Sequence, residues 1–129
     1  MQQVKQLSAG TLAFVGDAVY GLLVRQKLAK INRPNGELHK LSVKYVNANA
    51  QAEAVEIIKP MLSEEELIQF KHGRNLHTAH APKNSTVANY HAATGLECLF
   101  GFLHLSERTD RLKELFETIW NFQNESSCL

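Results

Sequence analysis

The sequence is short of cysteine, proline and long apolar runs, and each shortage excludes a class of protein. Its 129 residues include two cysteines and three prolines. Cys98 and Cys128 form neither a metal-ligand spacing nor the disulfide framework of a small secreted domain, so a reducing cytoplasm is the expected location. The longest apolar stretch, from Cys98 to Leu105, is interrupted by Gly101 and His104 and is too short to span a membrane.

Composition is otherwise that of an ordinary globular chain. Hydrophobic residues make up 44% and charged residues 21%, with a net charge of +1. A chain of this length buries a core without disulfides or a structural metal, and it is too apolar to be disordered. The start MQQVKQ has no basic region followed by an apolar stretch, so no secretory leader is expected. We expect residues 1–129 to form a single domain.

Every strong apolar repeat in the sequence has the period of an α-helix. No stretch alternates with the period of a strand, so the expected fold is all-α. The predicted helices comprise one through Leu12–Leu23 with Ser8 as N-cap, one long helix through Leu38–Ile58 stopped by Pro60, one from the capping box at Ser63 to a stop at Gly73, one from Ser85 or Thr86 through Leu103, and one over Thr109–Phe122.

One block of the chain contains no acidic residue. Between Leu67 and Leu96 there are three cations and four of the six histidines. Part of this block, from Arg74 to Asn84, has no apolar periodicity and is expected to be a long loop. Two interpretations are open: a surface that contacts a polyanion, or a solvated loop whose histidines are neutral at pH 7.

Two isolated acids lie inside apolar helical segments. Asp17 follows Gly16 among residues that we expect to be buried, and Glu97 lies between Gly95 and Gly101. A buried carboxylate needs a cation, hydrogen-bond donors or a metal ion, and a glycine inside a helix favours close approach of another backbone. Asp17 could therefore be hydrogen-bonded across a helix contact, or both acids, with the hydroxyl of Thr94, could hold a hydrated Mg²⁺.

The segments around these acids resemble the ribonuclease III family. GDAVYGLLV is similar to the GDAV signature of its catalytic domain, and TGLECLFGFLHL is similar to its second carboxylate-bearing helix. FKHGRN, PKN and YHAATGLE agree further, so that the resemblance runs from Leu12 to about Trp120. The resemblance is to the Mini group of the family, which lacks a double-stranded-RNA-binding domain. The expected fold is therefore a single helical ribonuclease III catalytic domain over residues 1–129.

The resemblance implies a magnesium-dependent endoribonuclease that cleaves double-stranded RNA. Carried over by position, Asp17 and Glu97 are the catalytic, metal-binding carboxylates, with Mg²⁺ as the cofactor. Full-length members have two more acids, and Ala13 and Thr94 occupy those places here. The number of metal ions is therefore left open.

Substrate and partners follow from the same resemblance. Duplex RNA is recognised mainly through its shape, phosphates and 2′-hydroxyls, so basic and polar groups should flank the acids, and the candidates are Lys71, Arg74, Lys83 and Asn84. A homodimer would cut the two strands. The implied substrate is the precursor of large-subunit (23S) ribosomal RNA in the bacterial cytoplasm, and whether a ribosomal protein presents it is open.

Two other functions compete with this one. A ribonuclease III-like domain could bind RNA or a ribosome without cleaving, because two acids are replaced. Alternatively, a zinc-binding interaction module could use His72, His77 and His80, although histidines without a cysteine partner seldom form a structural zinc site.

Overall fold

The computed structural model describes residues 2–76 and 85–125 and shows an all-α fold, as predicted. Its helices are α1 (Ala9–Ala29), α2 (Asn35–Val46), α3 (Ala48–Ile58), α4 (Glu64–Arg74), α5 (Val87–Leu105) and α6 (Thr109–Asn124), with 3₁₀ turns at Gln2–Gln6 and Lys59–Met61. No helix in these two ranges is long and apolar enough to cross a membrane.

Helix α5 is the centre of the fold. It packs against α1, α4 and α3, and most of its residues from Ala93 to Leu103 are buried. Tyr20 of α1 joins this core through its ring, whose centroid lies 5.3 Å from that of Phe100 and 5.7 Å from that of Phe116. Because α1 and α3 both lie against α5, residues far apart in sequence come together along it.

Glycines set the distance between α1 and α5. A Cβ added at Gly16 would lie 1.6 Å from the carbonyl oxygen of Glu97, and one added at Gly101 would lie 1.9 Å from that of Leu12. No residue with a side chain fits at such a backbone contact. The predicted close approach at Gly16 and Gly101 is therefore confirmed, and it is the backbone of Glu97 itself that contacts α1.

The long helix predicted over Leu38–Ile58 is wrong, because the chain breaks into α2 and α3 at Asn47. This residue is extended, with φ −72° and ψ 160°. Its side-chain oxygen accepts a hydrogen bond from the amide of Ala50, while its Nδ2 donates to the carbonyls of Val43 and Lys44. Asparagine competes well for backbone groups, so one side chain caps the end of α2 and the start of α3.

The other predicted helix ends are close to those observed. Ser8 caps α1, Ser63 and Glu66 form the capping box of α4, and Thr86 rather than Ser85 caps α5. The stop predicted at Gly73 is wrong by one residue, since α4 continues to Arg74. A Cβ at Gly73 would lie 2.4 Å from the Cβ of Cys98, so this glycine serves helix packing rather than helix termination.

Candidate active site

Asp17 is exposed near the middle of α1, which corrects the prediction that it is buried. The buried stripe of α1 runs through Leu12, Gly16 and Val19, and Asp17 lies beside that stripe rather than within it. Its carboxylate reaches a surface cavity of about 360 Å³ between α1 and α2. The cavity is lined by Asp17, Ala18, Gly21, Leu22, Arg25, Ser42 and Val46.

Glu97 is the more buried of the two acids and lies against Asp17. The pKa of Glu97 is raised to about 8, mainly by burial and also by the charge of Asp17 and a side-chain hydrogen bond with it. The structure thus brings together two carboxyl groups that are 80 positions apart in the sequence. Two like charges so close and partly desolvated cannot both be ionised at low cost unless a cation lies with them.

A third side chain at the site, Gln51 of α3, was not predicted. Hydrogen bonding from its side chain lowers the pKa of Glu97, whereas burial raises it. Gln51 is only 2% exposed, yet its Nε2 makes no hydrogen bond of ordinary geometry within the described part of the chain. No sequence signal pointed to it, since only the packing of α3 against α5 brings it to Glu97.

Arg25 is a second residue that sequence reasoning missed. It is exposed and lines the same cavity as Asp17, two helical turns further along α1. Residues eight apart differ by about 80° around an α-helix, so the spacing from Asp17 did not identify it. Arg25 brings a guanidinium to the cavity that Asp17 lines.

The hydroxyl of Thr94 makes a hydrogen bond within its own helix. Thr94 is buried, and its Oγ1 donates to the carbonyl of Tyr90, 3.0 Å away. The expected contribution of this hydroxyl to a hydrated cation stays a prediction. Threonine commonly forms this bond to the preceding turn inside a helix.

The predicted RNA-binding residues are only partly within the described ranges. Lys71 is exposed on α4. Arg74 lies at the end of that helix, with its guanidinium 5.8 Å from the ring centroid of Phe70 and its Nε donating to Asn75 at 3.2 Å. Lys83 and Asn84 lie outside the described residues, as does most of the predicted loop.

The chemistry of the site fits a hard divalent cation. Asp17 and Glu97 supply carboxylate oxygens from two helices held at fixed separation. Magnesium is commonly bound by one or two carboxylates and keeps several waters, which leaves room for a phosphate. Within residues 2–76 and 85–125, no three histidine, cysteine, aspartate or glutamate side chains form a metal-binding group. A caged zinc site is not found there, and of the three candidate zinc histidines only His72 is described.

Comparison with known proteins points to one family. The family profile described as Ribonuclease III domain matches residues 10–108. The chain is 48% identical to the Mini-ribonuclease 3 of Thermoanaerobacter sp. (strain X514), over 88% of this chain and 81% of that protein. It is 41% identical to the Mini-ribonuclease 3 of Enterococcus faecalis, over 89% of each. An X-ray crystal structure of a protein from Fusobacterium nucleatum superposes with a TM-score of 0.85 at 27% identity, covering 94% of this chain and 98% of that one.

The all-α fold and these matches define a helical endoribonuclease domain of the kind that acts on double-stranded RNA. The chain belongs to the ribonuclease III family, and its curated relatives carry the name Mini-ribonuclease 3. The resemblance carried by the GDAV and TGLE segments is confirmed.

Proposed function

We propose that this endoribonuclease uses Mg²⁺ held by Asp17 and Glu97 to cleave double-stranded RNA, and that its substrate is the precursor of large-subunit (23S) ribosomal RNA. The observation that carries the proposal is the contact of the two carboxyl groups, fixed by the backbone packing of Gly16 against Glu97. Bound magnesium would activate a water and neutralise charge on the phosphate in the transition state.

The chain's own groups prepare this chemistry. Asp17 is exposed and lines the cavity, whereas Glu97 is more buried. Because the pKa of Glu97 is about 8 without a metal, its carboxyl carries a proton at neutral pH. Glu97 must release this proton to act as a ligand, so metal binding should be tighter at higher pH. The close acid pair and the family membership favour a hydrolase over a domain that only binds RNA or a ribosome.

RNA binding is assigned to positive groups on α1 and α4. Lys71 and Arg74 lie on α4, and Arg25 lines the cavity beside Asp17. The predicted Lys83 and Asn84 would extend this surface. RNA binding by this catalytic domain would depend on such phosphate contacts, so its affinity should fall steeply with salt.

A homodimer is the proposed working unit, with one site for each strand. Phe14 is 81% exposed and Leu22 is 55% exposed on α1, and both are large apolar side chains. Such a pair beside Asp17 is typical of a surface that a second copy covers. Phe14→Glu should therefore give a monomer in sedimentation and reduce cleavage of both strands, whereas Phe122→Glu, an exposed site on α6, should leave the dimer intact.

The deciding experiment is cleavage of a long duplex RNA with Mg²⁺. Asp17→Asn and Glu97→Gln keep the shape of each side chain and remove its charge, and each should abolish cleavage in a folded protein. Glu56→Gln and Asp110→Asn change exposed acids elsewhere and should cleave normally. If the parent protein binds duplex RNA but never cuts it with Mg²⁺ or Mn²⁺, alone or with ribosomal proteins, the hydrolase proposal fails. Cleavage of a 23S precursor transcript at a defined position in the assay would support the specific substrate. The same cleavage inside the bacterial cytoplasm would support it further.

A further inference from the structure

Gln51 is a buried polar residue that the proposed chemistry does not yet use. Its side chain is 2% exposed on α3, and Nε2 has no hydrogen-bond partner in the described ranges. A buried amide without a partner loses its hydration, and nothing replaces it. An apolar residue of the same size would be the more stable choice for a packed helix interface. The position therefore calls for an explanation outside helix packing.

The surroundings of Gln51 indicate what it does. Its neighbours on the buried side of α3 are apolar, namely Ala54, Val55 and Ile58. Its side-chain interaction is with Glu97, the inner of the two proposed metal ligands. An amide N–H donates a hydrogen bond, and the oxygens of a carboxylate accept one. The hydrogen bond is stronger when the acceptor is charged.

We propose that Gln51 is a positioning residue: its Nε2 donates to the ionised carboxylate of Glu97 and holds it toward Asp17 for a divalent cation. The inference rests on the proposed metal-binding role of Glu97. The buried donor has no other partner in the described ranges, and the carboxyl of Glu97 is the acceptor with which its side chain interacts. Groups that hold metal-binding carboxylates in this way typically change metal affinity about 10- to 100-fold when they are removed.

The structure supplies a matched control in Gln69. This glutamine, on α4, is 7% exposed, and its Oε1 likewise lacks a hydrogen-bond partner among the described residues. It differs from Gln51 in having no side-chain effect on Glu97. Gln51→Met and Gln69→Met both replace a buried amide by an unbranched apolar chain of similar size, which cores tolerate well.

The first readout is binding of Mn²⁺ alone to the full chain, measured by electron paramagnetic resonance and calorimetry. Gln51→Met should weaken binding about 10-fold or more, while Gln69→Met should bind as the parent does. The second readout is thermal unfolding in EDTA, in which neither variant should be less stable than the parent. The third is duplex cleavage against Mg²⁺ concentration, in which Gln51→Met should need about 10-fold more Mg²⁺ for half-maximal rate.

Each outcome decides the proposal. Equal Mn²⁺ affinity and equal Mg²⁺ requirement in the two methionine variants would overturn it, even if the parent binds metal and cleaves RNA. Loss of metal-free stability in both Gln51→Met and Gln51→Leu would also overturn it, because the amide would then be needed for folding. If the parent itself bound no Mn²⁺ and showed no cleavage, it would be the metal role of Glu97 that failed. Gln51→Asn keeps the amide on a shorter chain and should restore part of the affinity.

Discussion

The protonated state of Glu97 predicts an unusual pH dependence of stability in the metal-free protein. The pKa of this carboxyl is about 8 in the folded chain, against an ordinary value of 4.5. Between these two values the folded state keeps a proton that the unfolded state has released. The free energy of unfolding should therefore fall as the pH rises from about 4.5 to about 8 and level off above it.

The size of the effect follows from the shift. A displacement of this size corresponds to about 5 kcal/mol at full ionisation, since each pKa unit is worth about 1.4 kcal/mol. Asp17 is exposed and lets water and ions screen the pair, so we expect on the order of 3 kcal/mol. Glu97→Gln is neutral at every pH and cannot lose this energy. The variant should match the parent near pH 5 and exceed it near pH 8.5.

Urea unfolding in EDTA, at one protein concentration and at several pH values, measures the difference between parent and variant. Glu56→Gln controls for removal of a negative charge at an exposed position of α3. Saturating Mg²⁺ should abolish the parent's loss of stability at pH 8.5 but give little to Glu97→Gln. Parallel pH curves for the parent and Glu97→Gln between pH 5 and 8.5 would refute the reasoning.

Three further substitutions test contacts that hold the helices together, each by urea unfolding. Glu66 is 4% exposed and accepts two hydrogen bonds of 2.8 Å from one arginine. Glu66→Ala should therefore lower the free energy of unfolding by about 3 kcal/mol, and Glu64→Ala, at an exposed position, by under about 0.5 kcal/mol. Equal losses would contradict this. Asn47→Ala should cost about 1–2 kcal/mol by removing both caps, and no loss would show that α2 and α3 can merge. Gly16→Ala should cost about 3 kcal/mol or more because its Cβ meets a backbone oxygen, whereas Gly21→Ala, with nothing within 4 Å, should stabilise by about 0.5 kcal/mol.

The parts of the fold that depend on local chemistry could be predicted from the sequence. The period of the apolar residues gave the helices, and Ser8 and Ser63 marked two helix starts correctly. The break at Asn47 could not be predicted in this way, because apolar spacing continues through it. There the competition between a capping side chain and one more turn of helix is decided by packing.

The site could be predicted only where a close contact between two backbones requires a glycine in the sequence. Gly16 and Gly101 indicated that another helix approaches, and the structure confirms the contact. Which acid is buried could not be predicted, because the exposure of Asp17 depends on how α1 is rotated against α5. Gln51 was missed for the same reason, since an isolated glutamine in a helix is ordinarily a surface residue.

The way in which the acids are held explains why their contact survives an unfavourable interaction. Two carboxyl groups in partly desolvated contact repel each other once both are charged, and side chains alone would turn away. Here the repulsion cannot separate them easily, because Gly16 and the carbonyl of Glu97 are packed backbone to backbone. The divalent cation proposed for this site would remove the repulsion. Rigid glycine contacts and a raised pKa are therefore two consequences of one arrangement, in which the packed backbones keep two carboxyl groups together at the proposed metal site.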